Sequence, residues 1–163
     1  MRTFLRRMSL LIAAMLLLPV LAPAATKTAK FNVTATVQSD CTIAATNLAF
    51  GTVGLVAGNV DAISTITVTC TPSTPYAIAL NAGDVAGSTV DARKMANGAS
   101  SMMFQLYRDS ARTQVWGETS GVNTVGNTGN GAPMEITVYG RIPPQTSPTV
   151  GAYIAQITAT ITY

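Results

Sequence analysis

The chain has 163 residues, with 10 Lys+Arg, 7 Asp+Glu, two cysteines and no histidine. Without histidine it lacks the commonest general base and metal ligand. Charged residues make up 10% of the chain, against a usual ~25%, so its surface is weakly defended against association.

Residues 1–24 read as a secretory signal peptide. Arg2, Arg6 and Arg7 form a basic start, residues 10–18 an apolar run, and Ala22-Pro23-Ala24 an A-x-A cleavage site. The apolar run is shorter than the ~20 residues a membrane-spanning helix needs, so no transmembrane segment is expected in the mature chain. The signal holds three of the ten basic residues, which leaves seven basic against seven acidic. The basic character therefore belongs to export and gives no argument for nucleic-acid or anionic-membrane binding.

Residues 25–37, ATKTAKFNVTATV, alternate with period two. Ala29, Phe31, Val33, Ala35 and Val37 share one face, and Thr28, Lys30, Asn32, Thr34 and Thr36 the other, which predicts a strand with no turn before it. Further strands are expected at 41–50, 63–71 (Ile66, Val68 and Cys70 on one parity), 76–80 (Tyr76, Ile78 and Leu80 inward), 101–109 and 134–142. Residues 112–116 read as a short additional element. The PSTP run at 72–75 is a turn, 81–92 a small-residue loop, 117–132 a long exposed loop and 143–148 the last loop. Residues 151–163, GAYIAQITATITY, alternate again. Tyr153, Ala155, Ile157, Ala159, Ile161 and Tyr163 lie on one parity, and the apolar pattern runs to the final residue with no partner strand after it. Such a strand is an open sheet edge unless another chain pairs with it. No segment after the signal has helical period. Short strands between Gly/Pro turns predict an all-β sandwich, Greek-key or immunoglobulin-like.

No catalytic, cofactor-binding or metal site is expected. The acidic residues are scattered, and Asp84 and Asp91 share a loop whose spacing matches no calcium site. The GNTGNG run at 126–131 has neither the following helix nor the Lys-Ser/Thr of a phosphate loop, so it reads as a flexible loop. Tyr107, Arg108, Asp109, Arg112 and Trp116 cluster after the fifth strand. A sugar-stacking patch is one reading. An edge turn in which Arg108 or Arg112 pairs with Asp109 and Trp116 covers the core is the preferred one. In an oxidising compartment, Cys41 and Cys70 have a single pairing open to them.

Four segments resemble a known family. They are QSDCTI at 38–43 closing at Phe50-Gly51; ITVTC at 66–70 with YAIAL at 76–80; RKM at 93–95 followed by FQLYRD, ART and Trp116-Gly117; and VYGRIP at 138–143 followed by GAY at 151–153 and the terminal strand. The chain resembles the spore coat protein U-like domain, the subunit domain of archaic chaperone–usher pili. The resemblance implies an incomplete immunoglobulin-like β-sandwich lacking its final strand, completed by donor-strand complementation. It also implies a Cys41–Cys70 disulfide joining the first two domain strands, with residues 25–38 as the donor extension and 39–163 as the pilin domain. Ala29, Phe31, Val33, Ala35 and Val37 would be the donor side chains. The strand carrying Tyr153, Ala155, Ile157, Ala159, Ile161 and Tyr163 would line the acceptor groove. Implied partners are a periplasmic pilus chaperone, an outer-membrane usher and neighbouring pilin subunits, in a cell-surface fibre supporting attachment and biofilm. The alternatives are a spore-coat or envelope structural protein and a carbohydrate-binding adhesin module.

Overall fold

The structure, a computed structural model, describes residues 23–163. The expected signal at 1–24 falls almost wholly outside them. The chain forms two units, Met1–Ala35 and Thr36–Tyr163. In the first, residues 23–35 carry no ladder and are exposed; Phe31 and Val33 are bare to solvent. The strand expected over 25–37 is thus unformed here, because a strand needs a partner for its backbone groups.

The second unit is all-β. Its strands are β1 (Cys41–Ala45), β2 (Val60–Cys70), β3 (Pro75–Leu80), β4 (Arg93–Asn97), β5 (Ser100–Tyr107), β6 (Val125–Thr128), β7 (Met134–Ile142) and β8 (Ala159–Thr162), with no helix among the described residues. They build a five-stranded sheet, β1-β2-β7-β5-β4, and a three-stranded sheet, β6-β3-β8. All pairings are antiparallel. This is the expected two-layer sandwich of immunoglobulin-like type.

Alternation determines which side chains make the core. Ile66, Val68 and Cys70 of β2, Tyr76, Ile78 and Leu80 of β3, Phe104 and Leu106 of β5, and Val138 and Ile142 of β7 are all buried. Gly140 of β7 shares the inward parity, and Leu48 and Phe50 fill the space a side chain there would need; an added Cβ would lie 2.8 Å from Leu48 Cδ1. Phe50 in turn packs edge-on against Phe104, with ring centroids 6.4 Å apart. Thr46 is still bonded to Thr65 of β2, and the chain leaves the sheet after it, so β1 is shorter than the strand expected to reach Phe50.

Three other expectations change. Residues 117–132 are not all loop, because β6 pairs with β3 there. Gly129 beside it is buried, with Thr71 O and Cys70 within 3 Å of where a Cβ would sit, so the glycine serves close approach rather than flexibility. Residues 112–116 form no strand, only a Tyr107–Val115 bridge. The terminal segment is not one ladder. It bridges to Ala96 of β4 at Ile154 and then pairs with β3 as β8.

The two sheets are linked through Arg93, which the sequence reading placed in a family segment but gave no structural role. Arg93 is fully buried. Its Nε donates to Asn81 O (2.9 Å), Nη2 to Leu80 O (2.8 Å) and Trp116 O (2.7 Å), and Nη1 to Gln105 Oε1 (2.6 Å). Trp116, also fully buried, donates Nε1 to Ile78 O at 2.9 Å and its backbone N–H to Leu106 O at 2.9 Å. One guanidinium and one indole thus bind the end of β3 to β4 and β5 across the core. Burial pushes the Arg93 pKa down to about 10, opposed by the charges of Glu118 and Asp91, so the cation persists at neutral pH.

Arg93→Met should cost about 3–5 kcal/mol, because several buried carbonyls lose their donor at once. Arg93→Lys should fall between, since it keeps the charge but not the fork. Urea unfolding of the three proteins checks this; a methionine variant within about 1 kcal/mol of the parent would remove Arg93 from this role.

Candidate functional site

The candidate site is an uncovered edge. β1 pairs only with β2, and β8 only with β3. No strand among the described residues occupies the other side of either. The side chains facing the gap are Cys41, Ile43, Leu48 and Phe50 from the first-strand side and Tyr153, Ala155, Ile157, Ala159 and Ile161 from the terminal side. All of these pack against the core, yet each is only half-buried. Most of the fully buried apolar residues come instead from β2, β3, β5 and β7. The core is therefore exposed along one line, between the first strand and the last.

Hydrogen bonds show which backbone groups face the gap. In the terminal segment the even-numbered residues are used inward. Ile154 N–H and C=O bond with Ala96 (3.0 and 2.9 Å), and Thr158 C=O accepts from Asn81 N–H (3.1 Å). Side chains supply the rest: Asp84 Oδ1 accepts from Gln156 N–H (2.8 Å), and Asn81 Oδ1 from Thr158 N–H (2.9 Å). Leu80, opposite Ala159, turns its own N–H away to Gly117 O at 3.1 Å. By the alternation of an antiparallel strand, the odd-numbered backbone groups from Ala155 to Ile161 then point at the gap. On β1, Asp40 O accepts from Thr71 N–H (3.0 Å) and Thr46 N–H donates to Thr65 O (2.9 Å). The even residues are again committed, and Cys41, Ile43 and Ala45 face outward. Both rims thus offer unpaired backbone groups on the same residues that carry the apolar side chains.

The structure brings together five of the six expected groove residues. Tyr153 anchors one end, where its hydroxyl donates to Thr149 O at 2.7 Å and lies 2.7 Å from Ser100 Oγ. Tyr163 departs from the row. It is 54% exposed, and its hydroxyl donates across to Asp40 Oδ1 at 3.4 Å, closing the other end rather than lining the floor. Cys41 and Cys70 form a disulfide between directly paired residues of β1 and β2. At a sequence separation of 29, such a crosslink stabilises by about 3.5 kcal/mol in the chain-entropy account. Ala29, Phe31, Val33, Ala35 and Val37 are all exposed.

The Tyr107–Trp116 cluster resolves as a turn, with one correction. Trp116 presents no face to solvent, so it cannot stack on a sugar. Asp109 does not pair with arginine. Its carboxylate instead accepts from Thr113 N–H and Oγ1 and from Gln114 N–H. Arg112, at a left-handed φ of 56°, reaches Asp61 (3.3 Å) and lies over the Tyr139 ring at 5.6 Å. Arg141 forms a bidentate pair with the same carboxylate at 2.7 and 2.8 Å. The sequence could not pair Asp61 with partners so distant along the chain. Among the described residues, no three of His, Cys, Asp or Glu come together as a metal site, and no helix is long and apolar enough to cross a membrane.

The Arg141 hydrogen bond, helped by Arg112, holds Asp61 below its ordinary value of 3.8. The pair's stabilisation is therefore complete above that value and is lost as pH falls through the lowered one. The carboxylate is 38% exposed, so the effect is under about 1 kcal/mol. Asp61→Asn should be slightly less stable than the parent at pH 6, and the gap should be smaller at pH 2. Thermal unfolding at both values tests this, and a gap that does not change with pH would contradict it.

Comparison with known proteins places these features. The sequence profile of the Spore Coat Protein U domain matches residues 27–160. "Protein U" of Myxococcus xanthus is 38% identical over 158 residues, covering 87% of this chain and 88% of that protein. Among solved structures, the fold matches a chain of the CsuC–CsuE chaperone–tip adhesion subunit pre-assembly complex from archaic chaperone-usher Csu pili of Acinetobacter baumannii. The match has a TM-score of 0.56 and 24% identity, over 78% of this chain and 40% of that one. It therefore spans less than half of the solved chain. By profile and by relative, this chain belongs to the Spore Coat Protein U domain family.

Proposed function

We propose that this chain is a non-enzymatic structural subunit of a cell-surface fibre, assembled by the chaperone–usher route through exchange of a donor strand. The observation that carries the reading is the gap between β1 and the terminal strand. It has apolar, half-buried side chains along both rims and unpaired backbone groups on the same residues. Strand addition at such an edge is a general recognition mode, already known from pilins. The occupant is the extension at 25–38 of a neighbouring copy, with Ala29, Phe31, Val33, Ala35 and Val37 as the inserting side chains. Burying them contributes on the order of 5–10 kcal/mol before ordering costs. Tyr153, Ala155, Ile157, Ala159 and Ile161 form one wall of the acceptor.

Before assembly, a periplasmic chaperone fills the gap and an outer-membrane usher mediates the exchange. The likeness to a chain of a chaperone–subunit complex supports that partner. The fibre's role is attachment and biofilm formation. The family's spore-coat description and the Protein U relative favour a second reading, a coat or envelope polymer built from the same domain. Electron microscopy of cells with and without the gene separates the two: fibres lost on deletion support the first.

Phe31→Asp should abolish fibre formation, because a carboxylate cannot enter an apolar slot without a partner. The variant's own groove should still accept an intact extension from another copy. Fibre yield equal to the parent's would sink the donor assignment.

A further inference from the structure

The terminal strand changes sheets. At Ile154 it is bonded to Ala96 of β4, in the large sheet, and from Ala159 it is paired with β3, in the small one. Between these points no strand lies on its inner side. A strand crossing such a gap alone would leave its N–H groups without partners and its alternation unsupported. Slippage by one residue would turn every apolar side chain to the opposite face.

Two loop side chains fill the place of the missing neighbour. Asp84 Oδ1 takes the N–H of Gln156 at 2.8 Å. Asn81 Oδ1 takes that of Thr158 at 2.9 Å and also Gly83 N–H at 3.1 Å. The loop between them is shaped for this contact. Gly83 has φ +95°, and a Cβ there would sit 3.0 Å from Ile157 Cδ1. The loop is also held from behind. Arg93 Nε grips Asn81 O at 2.9 Å, and Ser88 Oγ donates to Ala82 O at 2.6 Å while accepting from Lys94 N–H at 3.0 Å.

We propose that Asn81 and Asp84 are positioning residues for strand acceptance: their side-chain oxygens substitute for a sheet neighbour across the switch between β4 and β3, holding the odd-numbered backbone groups from Ala155 to Ile161 toward the gap. The proposal rests on the acceptor reading above and extends it to residues outside the gap. Asp84 is the sharper case, because its carboxylate is the acceptor recorded for Gln156 N–H, whereas Asn81 also contributes main-chain bonds.

The test uses the full chain carrying Phe31→Asp, so that its own extension does not compete, and a labelled synthetic peptide of residues 25–38. Asp84→Ala should slow peptide uptake about tenfold, the loss expected for one hydrogen bond to a charged group. Asp84→Asn, which keeps an oxygen in place, should restore most of it. Amide exchange should quicken at Gln156 in the alanine variant while Ile154, bonded to Ala96, keeps its protection. Uptake by Asp84→Ala at the parent rate, or an asparagine variant as impaired as the alanine one, would overturn the proposal. If the parent takes up no peptide, the acceptor reading fails; exchange at Gln156 still decides whether Asp84 holds the strand, and unchanged exchange there would overturn that as well.

Discussion

The fold depends on a buried guanidinium that has no carboxylate in contact with it. Arg93 is satisfied by main-chain carbonyls at the end of β3 and beside β5, and by the Gln105 amide. In a closed sandwich the two sheets would also be joined along their open flank by a further strand. Here that flank is uncovered, so the remaining connections carry more. Arg93 and Trp116 fasten one side of the core, and the Cys41–Cys70 bond fastens β1 to β2 on the other. Buried cations are costly unless their hydrogen bonds are met, and meeting them requires both sheets to be in place. The same group that is expensive to bury therefore makes the sheet arrangement specific.

Much of the architecture was legible in alternation. The inward parities of β2 and β3 follow from period two, as does the half-buried row from Tyr153 to Ile161. What escaped the sequence reading shares a cause: pairing between residues far apart in the chain. β6 and the residues beside it looked like loop because the glycines and asparagines of that run lower strand propensity, yet Gly129, just after β6, lets the backbone lie against Cys70 and Thr71. Arg93 drew no structural role from the sequence because its partners are mostly carbonyls, which no side-chain pattern announces. Asp61 met arginines from two other segments, while Asp109, the nearer acid, was already committed to its own turn.

The terminal segment shows why a correct pattern can still mislead about pairing. Its alternation describes one uninterrupted strand, and its hydrogen bonds do run along one side without a break from Ile154 to Thr158. But the partners change from β4 to loop side chains to β3. Period two reports which face a residue shows, and is silent about what lies alongside. The extension at 25–37 is the opposite case: a clean pattern with no strand pairing among the described residues.

The disulfide has a consequence for a chain pulled by its end. Tension applied through the extension would enter the domain at Asp40 and Cys41. From there it can cross the sulfur–sulfur bond straight to Cys70, at the end of β2. Residues 42–69 then form a covalently shunted loop that tension along the chain does not draw out. Nearly all of the first strand, the half-buried Leu48 and Phe50, and nearly all of β2 are inside that loop. A pull strong enough to break hydrogen bonds elsewhere would leave the first-strand rim of the gap still joined to β2.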